Sequence, residues 1–489
     1  MNDPFSDHSA ARDVQSTGFF ADVLRALPYE PNDGQVKVLA ALAHFVLYGS
    51  ERSVAMLNGY AGTGKTSLIG AVVKALTMQN IKTVLLAPTG RAAMIFSGYA
   101  GHPAYTIHRR IYREDSYLAD GFSLADNRQA MTFFIVDEAS MISNGAGMAD
   151  GATFGSGRLL DDLIAYVYNG QGCRLILLGD NAQLPPVGQQ LSPALDERYL
   201  QAYGLDVYSL NLSDVARQAA DSGILTNATL LRQVITAAPE GSVPSLRLKG
   251  FDDIRAIDGN EMLELLEDCY SRDGAESSII ITRSNRRATQ FNMGIRNAIL
   301  YREEELSGGD LLVVAKNNYY ATRDEKSVDF IANGDIVEVK RVRGDVEHLY
   351  GLRFVNATIA LPDHDNIELD VKIILDSLLS DTPALTRAQS ERLYNEVMEE
   401  KSGDRRARHR QLKEDPYFNA LQVKWAYAVT CHKAQGGQWE NVFVDMAAIP
   451  PEALATTDFT RWLYTAATRA TRHLYLLANP LPSDLPTDE

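Results

Sequence analysis

A chain of 489 residues exceeds what one hydrophobic core holds, so two or three domains are expected. Hydrophobic residues at 45% and charged residues at 22% are ordinary for a soluble globular protein. A formal charge of −16 excludes a protein coated in basic surface, so a nucleic-acid partner would have to be met by a local groove. The apolar runs are strand-length and the start, MNDPFSDHSA, is polar and acidic, so neither a membrane span nor a signal peptide is read. Cys173, Cys269 and Cys431 lie far apart without Cys-x-x-Cys spacing, which argues against a disulfide framework or a zinc site and for a cytoplasmic location.

Residues 1–30 are read as an N-terminal extension. Four apolar runs then end in polar or glycine-rich turns: VAMLNG (54–59), TVLLAPTG (83–90), TFFIVDEAS (132–140) and RLILLGD (174–180). Val/Ile/Leu runs of this length, separated by helical stretches, predict strands of a parallel sheet buried on both faces, here in a first unit over 31–215. Inside it, two short polar-aromatic segments around Asp120-Gly121 predict a β-hairpin within 109–130. The glycine-rich NGAGMADGATFGSGR (144–158) is read as a mobile loop. SIIITRSN (278–285), NVFVDM (441–446) and LYLLAN (474–479) predict a second sheet, over 216–305 and 421–480. Between them, FIANGDIVEVKRV (330–342), GLRFVNATIAL (351–361) and NIELDVKIIL (366–375) alternate with period 2 around turn residues, which predicts a small antiparallel barrel within 306–420. Thr386, with Gln389 three residues on, is the expected N-cap of a charged helix running towards GDRRARHRQLKED. The acidic tail, 481–489, is read as disordered.

GYAGTGKT, Gly59 to Thr66, satisfies G-x-x-x-x-G-K-[ST], between an apolar strand and the helical stretch TSLIGAVVKAL. In that setting the backbone amides around Ala61, Gly62, Thr63 and Gly64 cradle phosphate, Lys65 reaches the β- and γ-phosphates, and Thr66 ligates magnesium. FFIVDEAS supplies Asp137 for the magnesium shell and Glu138 to take a proton from an attacking water. In LLGDNAQLPPV (177–187), Pro185 and Pro186 can continue neither helix nor sheet, so the chain leaves in a fixed extended direction. A strand-terminal Gln183 on that mount either positions water and senses the γ-phosphate, or is a buried amide satisfied by backbone.

The ordered set GYAGTGKT, APTGRAA (87–93), TIH (106–108), VDEAS, GDNAQLPPV, ARQAADSGIL (216–225), VTCHKAQGGQWENVFV (429–444) and YTAATRA (464–470) resembles the motif series of superfamily 1 DNA helicases. QLPPV carries no aromatic residue after the glutamine, which makes it similar to the RecD/Dda type, the 5′→3′ branch to which the Pif helicases also belong. The resemblance implies an α/β fold of two RecA-like P-loop domains, each a parallel sheet flanked by helices, with an inserted β-hairpin and an inserted SH3-like small barrel. It implies ATP and Mg2+ as cofactors and unwinding of duplex DNA by translocation along a single strand. Residue by residue, Gln35 resembles the glutamine that reads adenine, although a surface helix residue is an equal reading. Gly436 joins the nucleotide contacts, and Arg469 and Arg217 resemble arginines that reach the γ-phosphate when the two cores close.

For the nucleic-acid groove the resemblance points to Pro88, Thr89, Thr106 and His108 on the first core, and to Asn285, Thr430, His432 and Lys433 on the second. Hydroxyls, amides, imidazoles and one lysine suit phosphate contacts that hold a strand without reading its sequence. Tyr117 or Phe122 of the hairpin are the candidates to meet a separating base pair, against an ordinary surface excursion. RRARHR is read as a solvated helix face rather than a nucleic-acid contact, and Trp425 and Trp439 as sheet packing rather than base stacking. The chain resembles compact Dda-like members, expected to act as monomers on single-stranded and partial-duplex DNA, with no membrane. A single-strand-binding protein or replication and repair proteins are the candidate partners. An RNA-directed helicase and a DNA-binding ATPase switch without unwinding are the competing readings.

Overall fold

The computed structural model describes residues 18–114, 121–145, 153–213, 221–239, 241–325, 328 and 330–484. The chain divides into two compact units, Met1–Ile235 and Thr236–Glu489.

In the first unit the apolar runs become strands β1 (Ser53–Gly59), β2 (Lys82–Ala87), β3 (Ala104–Thr106), β4 (Tyr112–Glu114), β5 (Gly121–Leu124), β6 (Thr132–Val136), β7 (Thr153–Phe154), β8 (Arg174–Gly179) and β9 (Asp206–Leu212). Six of them form one parallel sheet in the order β3-β2-β6-β8-β1-β9. β1 and β6 are buried along their whole length, as strands covered by helices on both faces must be. One face packs against the helix Lys65–Met78, which buries Leu68, Ile69, Val72, Val73 and Leu76, and against Asp33–Tyr48. The other face packs against Ile107–Ile111 and Leu159–Asn169.

β4, β5 and β7 make a small separate sheet, β4 antiparallel to β5. The Tyr112 hydroxyl donates to Asp162 Oδ2 at 2.8 Å and ties this sheet to the helix Leu159–Asn169. Phe122 is half-buried against the core cluster that holds Ile111 and Leu163. Tyr117, Asp120 and residues 146–152 of the glycine-rich stretch lie outside the described residues.

The second unit adds β10 (Ile254–Ile257), β11 (Ser278–Thr282), β12 (Leu311–Val314), β13 (Ile336–Leu349), β14 (Leu352–Leu361), β15 (Ile367–Ile374), β16 (Leu421–Trp425), β17 (Ala428–Thr430), β18 (Trp439–Asp445) and β19 (Ala470–Leu477). A parallel sheet runs β10-β19-β18-β11-β17, and β12-β13-β14-β15-β16 close into a barrel. Barrel closure uses β16, so the barrel extends to Trp425, beyond the 306–420 that alternation outlines. The turns fall at Gly334 (φ 94°) and at Asp365 and Asn366 (φ 54° and 56°), backbone states that glycine, asparagine and aspartate tolerate best. Thr386 and Gln389 form a reciprocal capping box at the start of the helix Arg387–Glu399. On the helix Arg405–Lys413 only Leu412 is buried; Arg405, Arg406 and Arg410 are exposed, whereas Arg408 is half-buried. Trp425 and Trp439 are both buried.

Burial pushes the carboxyl of Asp335, at the mouth of β13, up to about 7, with Asp363 adding to the shift and the Ala332 amide opposing it at 2.7 Å. A raised carboxyl pKa means the folded state holds the proton more tightly than the unfolded chain. Stability from this group is therefore greatest in acid and is lost as pH rises from about 4 to about 7. Asp335→Asn keeps an acceptor for Ala332 without a charge. It is expected to flatten the pH dependence in that window and to stabilise the protein at pH 8 by at most about 4 kcal/mol. Urea midpoints of both proteins across pH test this, and parallel curves would contradict it.

Candidate nucleotide site and nucleic-acid interface

Three adjacent strands, β6, β8 and β1, bring their carboxyl ends together, with Val136 in register with Leu177 and Gly179 with Asn58. In a parallel sheet the loops leaving such ends share one edge, where ligands bind. The sheet thus assembles Gly59–Thr66, Asp137-Glu138 and Asp180–Gln183.

The loop after β1 turns on Gly62 (φ 74°) and Gly64 (φ 83°), conformations that aim successive amides inward at the start of the helix Lys65–Met78. Thr63 is fully buried and its hydroxyl donates to the Tyr60 carbonyl at 2.7 Å, which sets the loop. The aliphatic chain of Lys65 passes close under Gly59, where a Cβ would lie 2.7 Å from Cγ. Its ammonium donates to the carbonyl oxygens of Gly59 and Tyr60. Thr66 stands in the first turn, where a hydroxyl serves as a cation ligand beside phosphate. This loop has the geometry of a phosphate cradle.

Asp137 continues the ladder past β6, its amide donating to the Leu86 carbonyl at 2.9 Å. Burial, then the charge of Glu138, push the Asp137 carboxyl up to about 7, and the Lys65 ammonium pulls the other way. A divalent cation would relieve that cost, which fits the donor set of Asp137 and Thr66. Glu138 is held at φ 51°, ψ 39°, a left-handed state that is strained for a residue with a side chain, and its amide donates to Asp137 Oδ1 at 2.8 Å.

Asp180 is buried and folds its side chain onto the Ala182 amide at 2.9 Å, while its carbonyl accepts from Gln183 at 3.2 Å. The Asn181 amide donates to Asn58 Oδ1 at 3.0 Å, so the Gln183 loop is tied to the end of β1. Gln183 is buried, and past the prolines Val187 is 84% exposed. The rigid mount thus runs from the phosphate loop to the surface.

Gln35 is 2% exposed, which excludes the surface reading. Its Oε1 accepts from the Asn32 amide at 3.1 Å, closing a capping box, and its Nε2 donates to the Thr63 carbonyl at 3.0 Å. The side chain therefore grips the phosphate loop. Sequence reasoning missed Tyr29, whose phenol hydrogen-bonds Gln35 and Ser67 and whose pKa burial raises. A Cβ on Gly64 would lie 2.8 Å from that phenol oxygen. It also missed Arg232, whose guanidinium lies 4.4 Å from the Tyr60 ring centre. Neither carries a motif signal.

On the first unit, Pro88 and Thr89 follow β2 and Thr106 ends β3, in register with Ala87. Thr89 and Thr106 are helix N-caps, accepting from Ala92 and Arg109, which leaves each hydroxyl proton to donate. Burial pushes His108 down to about 4, so it is neutral at pH 7. On the second unit, Asn285, Thr430 and Lys433 line one crevice together with Lys424 and Trp425, and His432 is not among its walls. Arg469 is buried, with Nη1 donating to the Gly437 carbonyl at 3.3 Å, beside Gly436 (φ 75°). Arg217 lies outside the described residues.

The AAA domain family matches residues 30–238, and the UvrD-like helicase C-terminal domain matches 425–477. The ATP-dependent RecD2 DNA helicase of Deinococcus radiodurans is 32% identical over 174 residues, 35% of this chain and 21% of that protein. The ATP-dependent DNA helicase dda of Enterobacteria phage T4 is 24% identical over 317 residues, 62% of this chain and 64% of that protein. By these matches the chain is similar to the superfamily 1 helicases of the RecD/Dda type. An uncharacterized protein of Methanocaldococcus jannaschii is 23% identical over 495 residues, 91% of this chain and 38% of that protein. The chain thus spans well under half the length of two of these relatives. In this chain the first matched segment contains Gly59–Thr66, Asp137, Glu138 and Gln183, and the second contains Thr430, Lys433, Gly436 and Arg469. Among the described residues no helix is long and apolar enough to cross a membrane.

Proposed function

We propose that this protein is an ATP- and magnesium-dependent DNA helicase that moves 5′→3′ along single-stranded DNA and separates the duplex ahead. The observation that carries this reading is the convergence of Lys65, Asp137, Glu138 and Gln183 on one edge of a parallel sheet. Lys65 and the loop amides hold the β- and γ-phosphates. Asp137 and Thr66 would hold Mg2+, which when bound neutralises phosphate charge. Glu138 takes the proton of the attacking water, and Gln183 orients that water and passes the state of the γ-phosphate to its proline-stiffened loop. Gln35 reads adenine from its seat on the phosphate loop, and Gly436 belongs to the nucleotide contacts. Arg217 and Arg469 stabilise charge on the transferred phosphoryl group.

Pro88, Thr89, Thr106 and His108 on one unit, and Asn285, Thr430, His432 and Lys433 on the other, grip strand phosphates through hydroxyls, amides and one ammonium. The absence of an aromatic residue in QLPPV supports the 5′→3′ direction. The protein acts in the cytoplasm as a monomer, alongside replication or repair proteins. The test is strand separation on partial duplexes with a 5′ or a 3′ single-stranded tail, with ATP hydrolysis followed in the same tubes. Separation from the 5′ tail alone is expected. Separation from the 3′ tail alone would overturn the polarity, and hydrolysis without separation of either duplex would overturn the motor.

A further inference from the structure

At the edge of the first sheet, β3 pairs only with Leu85–Ala87 of β2, while β6 pairs with β2 from Lys82 onward. Lys82–Val84 therefore have a strand on one side, and β3 does not reach them on the other. The Asp137 amide bonds the Leu86 carbonyl on the β6 side. Alternate residues of a parallel strand turn their peptide groups the same way, so Lys82 and Val84 also face β6 and Thr83 faces away from it.

A groove of about 450 Å3 lies where β3 would continue. Its walls come from both layers that sandwich the sheet: Thr77 and Asn80 at the end of the helix Lys65–Met78, Arg110 and Gln129 from the opposite face. Walls of that origin outline the slot of a missing edge strand. None of the eleven lining residues is acidic, although the whole chain carries a formal charge of −16, and Lys82 and Arg110 are both in the lining. Arg109 adds a further guanidinium at the rim, 5.1 Å from the centre of the Tyr105 ring.

We propose that this groove docks an extended acidic peptide of a partner protein, which lies beside Lys82–Val84 as an added strand. Main-chain bonds to Thr83 supply affinity, and alternate acidic side chains reach the cations of one wall. A nucleic-acid strand would use the cations and would have no use for a free sheet edge. Lys82 and Thr83 stand apart from the proposed DNA contacts Pro88 and Thr89, because Lys82 lies at the opposite end of β2, roughly 16 Å from Ala87 along the strand. Tyr105 and Arg110, at the other end of the lining, adjoin Thr106 and His108.

The test uses the full chain and a fluorescent peptide of alternating Asp and Val, with an Asn–Val peptide and a centrally N-methylated Asp–Val peptide as controls, read by anisotropy. The Asp–Val peptide is expected to bind at least about tenfold more tightly than either control and to weaken as salt is raised. Lys82 is exposed, so Lys82→Glu leaves the fold intact and is expected to lower Asp–Val affinity at least about tenfold. Equal binding of the Asp–Val and Asn–Val peptides, or an unchanged affinity in Lys82→Glu, would overturn the proposal. So would a Lys82→Glu effect confined to a short fluorescent DNA duplex, which would make the groove a nucleic-acid site.

Discussion

Lys65→Ala is expected to abolish ATP hydrolysis, lowering kcat by a factor on the order of 10^3 or more, while leaving nucleotide-free binding to single-stranded DNA within about twofold. The ammonium of Lys65 is held against the Gly59 and Tyr60 carbonyls at the mouth of the phosphate loop, and its charge already acts on Asp137. Charge that develops on a transferring phosphoryl group is stabilised there by a preplaced cation, and no water reorganises as well. The methylenes of Lys65 also pack under Gly59, so Lys65→Met is the companion variant that keeps packing and removes charge alone. Both should be equally inactive. The proposed strand contacts, Thr89, Thr106, Thr430 and Lys433, are untouched by either change, so DNA affinity measured without nucleotide should hold. If Lys65→Ala lost DNA binding in the absence of nucleotide, the assignment of this loop to ATP would be wrong.

Asp310→Ala is expected to destabilise the second unit by about 3–5 kcal/mol. Asp310 is fully buried at the start of the barrel. It accepts from Arg296 Nε at 3.0 Å and Nη2 at 3.1 Å, from Arg302 Nη1 at 2.6 Å, from the Tyr427 hydroxyl at 3.2 Å and from the Ser307 amide at 2.8 Å. Arg296, 4% exposed, comes from the helix Asn285–Ala298 and lies 4.9 Å from the centre of the Trp425 ring. Removing the carboxylate therefore leaves the buried Arg296 guanidinium without its counter-charge, held by the Glu304 carbonyl, at the junction of helix, barrel and sheet. One hydrophobic cluster runs through that junction, from Ile280 and Phe443 of the sheet to Val337 and Ile359 of the barrel, so the loss is not confined to the barrel. Denaturant unfolding should show a lowered midpoint, and Asp310→Leu combined with Arg296→Met should recover most of it, because a packed apolar pair replaces a buried ion pair at little cost. A single variant as stable as the parent would show that Arg296 finds another partner.

Several features were readable from the chain because they are local. The phosphate loop needs glycines at left-handed positions, and Gly62 and Gly64 adopt them. Continuous Val/Ile/Leu runs became buried parallel strands, and alternating runs became the barrel, because side-chain direction in a strand has period 2. The Thr386–Gln389 box was equally legible. Asn32 and Gln35 carry the same signature, which went unread behind the question of adenine. β9 was missed because DVYSLNL, at the edge of the sheet, has neither a continuous apolar run nor a regular alternation of burial, and β3 and β17 because three residues carry no period.

By itself, then, the sequence determined the glycine pattern of the phosphate loop, the types of the principal strands and the kind of side chain proposed to meet a nucleic-acid backbone. Only the tertiary structure decided that β6, β8 and β1 are neighbours, so that Asp137, Glu138 and Gln183 meet Lys65. It alone turned Gln35 inward onto Thr63, set Arg296 on Asp310, and left Lys82–Val84 with a strand on one side only. The reason is that strand order and buried ion pairs join residues far apart in the chain. Local propensity and periodicity carry no information about such pairings, which are selected when whole faces are buried together.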